Sequence, residues 1–490
     1  MAKHSESVRK SKLLKRVAII GGGISGLAAA LELTKPNYDC QFTLFESQPR
    51  LGGVLKTDRE GSYLIERSAD NFATLQPAAL ELTREFADIQ QLILPEPKNR
   101  WAQVLHRERI APVPAGFSLM QPAKLSSIIG TGTLSPAGKL RLLYEFLVPR
   151  RVEEQDESLE SFATRRLGKE AFTNLVEPIV AGIFTADPKK LSMQAALPQF
   201  VEMERKHGGL IRASLAAKKS NAAELAKKAS GARYEQFRAP LFGMSDWIGQ
   251  LGQKLPNESL RLNTKVVSLS KAANGYHVSF HTANDRPASA SHQNETFDSI
   301  ILGTPASVTA RLLQDLQPSV SQDVGGIHYA SSVVVAMVVP RDEILGNVNA
   351  FGLIVPSKEG RQVLAISYSS NKYAGRVPKD QLLLRMFFGG AMNPEFCELD
   401  DDAVLHAARM ELTEILRWRG KTPKLESVIR WRNAMPQYEL GHVERVQKIR
   451  QGLKADCPQL EICGAAYTGV GIPQCVQSGR QAARNLFPNT

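Results

Sequence analysis

Residues 17–26 read Val17-Ala18-Ile19-Ile20-Gly21-Gly22-Gly23-Ile24-Ser25-Gly26. The β-branched run predicts a buried parallel strand, and the next stretch, Leu27-Ala28-Ala29-Ala30-Leu31-Glu32-Leu33, has helical composition. Between them stands G-x-G-x-x-G in the strand–turn–helix setting that gives the motif its meaning. Gly21 makes the tight turn, Gly23 lets backbone approach a pyrophosphate, and Gly26 lets the helix lie close on the sheet. Ile24 and Ser25 open that helix, where free N–H groups and the positive end of the dipole face an anion. A second strand, Phe42-Thr43-Leu44-Phe45, ends at Glu46, twenty residues beyond Gly26. A carboxylate there accepts ribose hydroxyls and repels a 2′-phosphate, so the pattern predicts a dinucleotide other than NADP.

Two further glycine segments choose the dinucleotide. Arg50-Leu51-Gly52-Gly53 is a second place where chain passes close to a ligand, and a self-contained NAD module does not need it. Near the other terminus, the strand-like Leu460-Glu461-Ile462-Cys463 runs into Gly464-Ala465-Ala466-Tyr467-Thr468-Gly469-Val470-Gly471-Ile472 and then a helix from about Gln474. A ligand touched by both ends of a 490-residue chain is long. FAD is long enough.

The rest of the composition excludes more than it selects. At roughly 150 residues per domain the length suggests about three units, and 43% hydrophobic with 22% charged residues describes an ordinary globular chain. Five scattered cysteines, none in C-x-x-C, predict reduced thiols and no structural zinc. The net charge of +12 and pI of about 9.4 favour anionic partners, yet no nucleic-acid recognition motif is present. Part of the excess sits in a basic arm, residues 3–16, read as a solvated tail or a short lipid-touching segment. The apolar stretch 17–33 is broken by glycines and lacks a cleavage site, and nothing else reaches the ~18–20 apolar residues of a bilayer span. The expectation is a cytoplasmic protein, soluble or peripheral.

The glycine segments, the acidic strand end and R-x-G-G together resemble the flavin-containing amine oxidase superfamily. Further stretches narrow the resemblance to the oxygen-dependent protoporphyrinogen oxidase family: Glu66-Arg67-Ser68-Ala69-Asp70-Asn71-Phe72, Ser161-Phe162-Ala163-Thr164-Arg165-Arg166-Leu167-Gly168, Val180-Ala181-Gly182-Ile183-Phe184, Pro436-Gln437-Tyr438 with Gly441-His442, and Gly464 through Cys475. The likeness covers nearly the whole chain. It departs at Ser68, where the family usually has glycine, and at Ser367, often a bulky aliphatic in relatives.

This resemblance implies an α/β (mixed α+β) architecture: a Rossmann-like FAD-binding domain of glutathione-reductase type, an inserted sheet-based substrate domain, and a helical domain. The first would be assembled from residues 14–85, 230–305 and 425–490, the second from 86–115 and 306–424, the third from 116–229. In the third, Leu140, Leu143, Phe146 and Leu147 recur at helical spacing between Lys139, Arg141, Arg150 and Arg151. That stripe either packs in the core or rests on acidic lipid; the membrane association of relatives points to the second. Residues 213–232 read as an exposed helix or loop, and 281–295 as a polar hairpin tip. A homodimer is compatible with the family.

The activity implied is oxidation of protoporphyrinogen IX to protoporphyrin IX by three two-electron hydride transfers to flavin N5, with O2 as acceptor giving H2O2. The cofactor carries the hard step, and no catalytic side chain or metal is required. Arg100 matches the family's propionate-binding arginine, and Ala181, Gly182, Ile354, Ser367 and Phe387 match its substrate walls. On the cofactor side the resemblance adds Ser47, Arg50, Val266, Gly464, Val470, Gly471 and Ile472 to Gly21, Gly23, Ile24, Ser25, Gly26, Glu46, Gly52 and Gly53. Coproporphyrinogen III is the alternative substrate, and a related amine oxidase or carotenoid desaturase is a more distant reading. A prenyl-binding escort protein on the same scaffold is the reading of another class.

Overall fold

The structure is a computed structural model that describes residues 14–122, 125–153, 155–219, 236–282 and 293–488. The basic arm through Leu13, most of the segment 213–232 and most of the hairpin tip 281–295 lie outside the described residues.

The opening motif folds as its pattern dictates. Strand Lys15–Ile20 leads through the glycine turn into helix Ile24–Leu33. The strand is central in a five-stranded parallel sheet, in the order Leu260–Arg261, Cys40–Phe45, Lys15–Ile20, Ser299–Leu302, Leu460–Ile462. Alternating side chains leave the strand on opposite faces. Val17 and Ile19 join one core with helices Ile24–Leu33, Met244–Gly252 and Ile472–Asn485. Ala18 and Ile20 join another beneath the antiparallel strands Thr264–Ala272, Gly275–Thr282 and Gln293–Phe297. Both faces are covered, which is why the strand is apolar throughout.

A second, mixed sheet has seven strands in the order Leu425–Pro436, Tyr329–Pro340, Gln381–Gly389, Val363–Ser367, Gly352–Ile354, Ala102–His106, Arg109–Pro112. One face, with Leu353, Ile366, Met386 and Phe388, is buried beneath helix Asp401–Leu416. The other looks toward the nucleotide half and the helical layer. That layer has its own core, including Phe162, Leu175, Val180 and Leu210.

Three expected boundaries move. Residues 306–325 form helices Ala306–Leu313 and Pro318–Gly325, whose Leu312, Leu313, Val320 and Val324 pack into the core beside the parallel sheet rather than with the seven-stranded sheet. Phe86 and Leu92 also belong to the nucleotide core. Conversely, Leu425–Pro436 is an edge strand of the seven-stranded sheet, held by Tyr329–Pro340. Helix packing and strand pairing with partners distant in the chain set these boundaries, and the local sequence does not name them.

The stripe around residue 140 also resolves. Leu142 is fully buried, while Leu140 is 70% and Leu147 62% exposed, with Ile129, Tyr144, Phe146 and Val152 exposed nearby. The helix Pro136–Leu143 gives way to a 3-10 turn, Tyr144–Leu147, so the core-facing side chains are Leu142, Glu145 and Val148. No helix among the described residues is long and apolar enough to cross a membrane.

The first and last helices meet at glycine. A Cβ on Gly479 would lie 2.0 Å from the Ser25 carbonyl oxygen. Gly479→Ala therefore pushes the helices apart, with an expected loss of about 1–3 kcal/mol; urea unfolding of the two proteins checks it.

Candidate functional site

A cavity of roughly 410 Å3 lies along the top of the parallel sheet, lined from both ends of the chain. Of the residues expected at a dinucleotide, Gly21, Gly23, Ile24, Ser25, Glu46, Ser47, Gly52, Gly53, Val266 and Gly464 line it. The glycines act as their spacing predicts. Gly21 has φ +106°, and a Cβ on Gly26 would stand 2.0 Å from the Gly21 oxygen, behind the cavity wall. At Gly23 a Cβ meets nothing within 4 Å, so that backbone opens to the cavity. Helix Ile24–Leu33 starts there with no capping side chain, which leaves the first-turn N–H groups for an anion.

The two N-terminal glycine segments are joined directly. Gly52 N–H donates to Gly22 O at 2.8 Å, and Gly22 N–H donates to Glu46 Oε2 at 2.7 Å. Glu46 Oε1 accepts from Gln48 N–H at 2.8 Å. The acid at the strand end thus shapes the turn with both oxygens, a second role its position in the sequence does not show. Arg50 points into its own turn, donating to the carbonyls of Leu51, Gly53 and Leu55.

The C-terminal glycine loop is held from below. Tyr438 donates its hydroxyl hydrogen to Ala465 O and accepts from Gly469 N–H at 2.8 Å. His442 stacks on the Tyr438 ring with centroids 4.4 Å apart, and burial pushes its pKa down to about 4. Gly471 caps helix Ile472–Asn485, and Ile472 is buried. Val470 packs beside the helical-layer core. Arg50, Val470, Gly471 and Ile472 do not line the 410 Å3 cavity.

The expected substrate walls share one sheet face. Ile354 pairs with Ala365 and Ala365 with Phe387; one step along, Ser367 pairs with both Gly352 and Arg385. Ile354, Ala365, Ser367 and Phe387 are half-buried, whereas Leu353, Ile366 and Met386 between them are buried on the far side. Helix Glu177–Phe184 lies over the row, with a Cβ on Gly182 falling 4.0 Å from Ala365 Cβ. Ala181, Gly182, Ile354, Ser367 and Phe387 are therefore gathered on one side of the sheet. Arg100 precedes strand Ala102–His106, which pairs in parallel with the Ile354 strand, and its Nε donates to Pro95 O at 3.0 Å.

Several residues were not foreseen. Thr264, Lys265, Thr304, Pro305, Arg311, Tyr329, Ala434, Pro436 and Cys475 are among the other residues that line the cavity. Gly303-Thr304-Pro305 ends a strand as the first glycine turn does, and that was the available signal. A buried ionic cluster also lies between the two halves. Lys372 Nζ stands 2.5 Å, and Arg385 2.7 Å, from Asp70 Oδ2. Burial alone would raise the Asp70 pKa, but Arg385 and Lys372 hold it well below the usual carboxylate range. Burial pushes Lys372 down to about 8 against the pull of Asp70. Among the described residues no group of side chains could hold a metal ion.

The arrangement fits FAD: a long cavity, an uncapped helix N-terminus, open backbone at Gly23, and contributions from both termini. The profile of the flavin containing amine oxidoreductase family matches residues 24–487. The chain belongs to that family. It is a flavoprotein oxidoreductase whose cofactor is FAD. Among its relatives is the coproporphyrinogen III oxidase of Bacillus subtilis (strain 168), 29% identical, covering 96% of this chain and 98% of the relative. The chloroplastic protoporphyrinogen oxidase of Nicotiana tabacum is 28% identical, over 96% of this chain and 84% of the relative. A crystal structure from Exiguobacterium sp. 255-15, provisionally named a protoporphyrinogen oxidase, superposes with a TM-score of 0.82 at 26% identity, over 97% of this chain and 99% of that one.

His442 makes stability depend on pH. In the native state it stays neutral down to about pH 4, whereas in the unfolded chain it takes a proton near pH 6.5. The unfolded state then binds more protons between these values, so stability falls as the pH drops from 6.5 to 4 and flattens below. His442→Phe is expected to remove about 3 kcal/mol of that acid-side loss, measured as unfolding free energy at pH 7 against pH 4.

Proposed function

We propose that this flavoprotein oxidises a porphyrinogen to the corresponding porphyrin, with protoporphyrinogen IX to protoporphyrin IX as the reading of the sequence. The observation that carries it is the family match over residues 24–487 together with relatives named for porphyrinogen oxidation; the half-buried row Ile354–Ala365–Phe387 on one sheet face supplies the apolar contact. FAD, when bound, accepts hydride at N5 and passes the electrons to O2, giving H2O2. The chain's own part is to bind and orient. Phe387 and Ile354 supply apolar contact, Ala181 and Gly182 keep the opposite side thin, and Arg100 grips a propionate with two parallel hydrogen bonds. The Gly23–Ser25 backbone receives the pyrophosphate, Glu46 the ribose, and the loop from Gly464 to Ile472 the flavin end, where helix N–H groups favour negative charge. Acid–base side chains are not needed, because pyrrole tautomers move the protons.

Coproporphyrinogen III is the second reading. It is favoured by the hydroxyl of Ser367 on the wall and by relatives that carry that activity in their names. Supplying each porphyrinogen separately under air, without nicotinamide, and following porphyrin fluorescence tests the proposal. Turnover of at least one is expected, and the ratio of kcat/KM values selects the substrate; no turnover of either rejects the function. Arg100→Ala should lose about 1.5–3 kcal/mol of binding, read as a rise in KM of about 10- to 100-fold with kcat little changed.

The exposed apolar group around Leu140 and Leu147, with Lys139 and Arg150 adjacent in sequence, supports a peripheral contact with acidic membranes; Arg141 and Arg151 are engaged with carbonyls and with Glu153 and Glu157. A Leu140→Glu, Leu147→Glu double variant should lose cosedimentation with phosphatidylserine vesicles by at least about tenfold while keeping its FAD. Equal cosedimentation of the two proteins rejects the contact.

A further inference from the structure

The Glu66–Phe72 stretch takes no part in the cavity, yet through it the seven-stranded sheet is tied by buried charge to the Gly52–Val54 turn that lines the cavity. Asp70 is buried, with Lys372 and Arg385 both on its Oδ2. Arg385 also donates to the carbonyls of Glu66 and Ser68. Ser68 in turn donates its hydroxyl to Val54 O at 2.7 Å, and Val54 lines the cavity next to Gly52 and Gly53.

On the other side, Arg385 sits two residues before Phe387 on the same strand face, its guanidinium carbon 5.6 Å from that ring. It is paired in register with Ser367. Ser369 Oγ accepts from Arg385 Nε at 3.2 Å and lies 3.3 Å from Ser367 Oγ. The same short turn reaches Arg100's neighbourhood, because Asn99 Nδ2 donates to Asn371 O at 2.7 Å. One buried cluster thus touches the segment before the anchor, the wall and the flavin turn.

We propose that Arg385, locked by Asp70 and Lys372, is a positioning residue that sets the distance and tilt between the Phe387 strand and the Gly52–Val54 turn lining the FAD cavity. It acts through Phe387 on one side and through Ser68 and Val54 on the other, and the inference rests on the wall being where the porphyrinogen lies. Burying three cations (Lys372, Arg376, Arg385) with two carboxylates (Glu66, Asp70) is costly unless their geometry is satisfied, so the cluster tolerates one arrangement of the two halves. A misplacement of about 1 Å between reacting groups costs on the order of 100-fold in rate.

The test uses the FAD-loaded full chain. Arg385→Met and Arg385→Lys are purified beside the parent, and three properties are read: FAD stoichiometry, the visible flavin spectrum with its midpoint potential, and anaerobic single-turnover reduction by porphyrinogen. The expected result is full FAD, a shifted flavin spectrum or potential, and reduction slowed about 10- to 100-fold with KM within threefold. Arg385→Lys keeps the charge but cannot reach Asp70 and both carbonyls together, so it gives the same direction where the Met variant does not accumulate. Asp70→Asn should mimic Arg385→Met, and the double variant should be no worse than either, because one cluster is being broken. A wild-type flavin spectrum, potential and reduction rate with only a lowered Tm overturns the proposal and leaves the cluster a staple. If the parent oxidises no porphyrinogen, the proposed function fails, while the flavin spectrum and potential still decide whether Arg385 positions the turn.

Discussion

The constraint on which the molecule depends is the close approach of backbone to backbone around Gly22. Its carbonyl accepts from Gly52 and its N–H donates to Glu46, while Gly26 and Gly479 let two helices come down onto the same turn. Side chains at these positions would hold the elements apart. With glycine there, an anion-binding helix start, a carboxylate and a second turn converge, and a nucleotide cavity results from packing rather than from any one residue.

The two halves use different physics. The nucleotide half is organised by main-chain geometry at its glycine turns, with side chains such as Phe45, Val266 and Tyr329 completing the cavity wall. The substrate half is organised by a sheet whose alternation separates a sealed face, Leu353, Ile366, Met386 and Phe388, from a half-open one, Ile354, Ala365, Ser367 and Phe387. The joint between them has an apolar part, Ile65 against Val334, Leu383 and Ile429, and a polar part. The latter is a buried ionic cluster, in which any change of geometry leaves a charge unpaired in a poorly solvating place. A rigid joint suits a reaction that depends on the spacing between a flat substrate and a flat cofactor.

The family places the chemistry on the flavin, so the protein's contribution is read in alignment and in charge near the ring. Arg50 illustrates how a motif residue serves that end indirectly: its guanidinium closes its own glycine turn. Tyr438 and His442 do the same for the C-terminal loop. Motifs that look like ligand contacts in one dimension are partly braces in three.

Local patterns were enough for the parallel strand, the glycine turns, the acid at the strand end and the meeting of both ends of the chain at one cavity, because each depends on residues close in sequence or on a ligand too long for one motif. The sheet face shared by Ile354, Ser367 and Phe387 came from family likeness, not from periodicity. Other features belong to the tertiary structure alone. Residues 306–325 join the nucleotide core and 425–436 the substrate sheet because of partners distant in the chain. Leu140 faces outward because its helix buries the Gly138–Leu142 side, and Leu147 because the helix ends at Leu143 and a tighter turn follows over 144–147. Asp70 meets Lys372 and Arg385 from the far side of the chain, and a contact of that range has no signature in sequence spacing, since only the docking of two finished sheets brings it about.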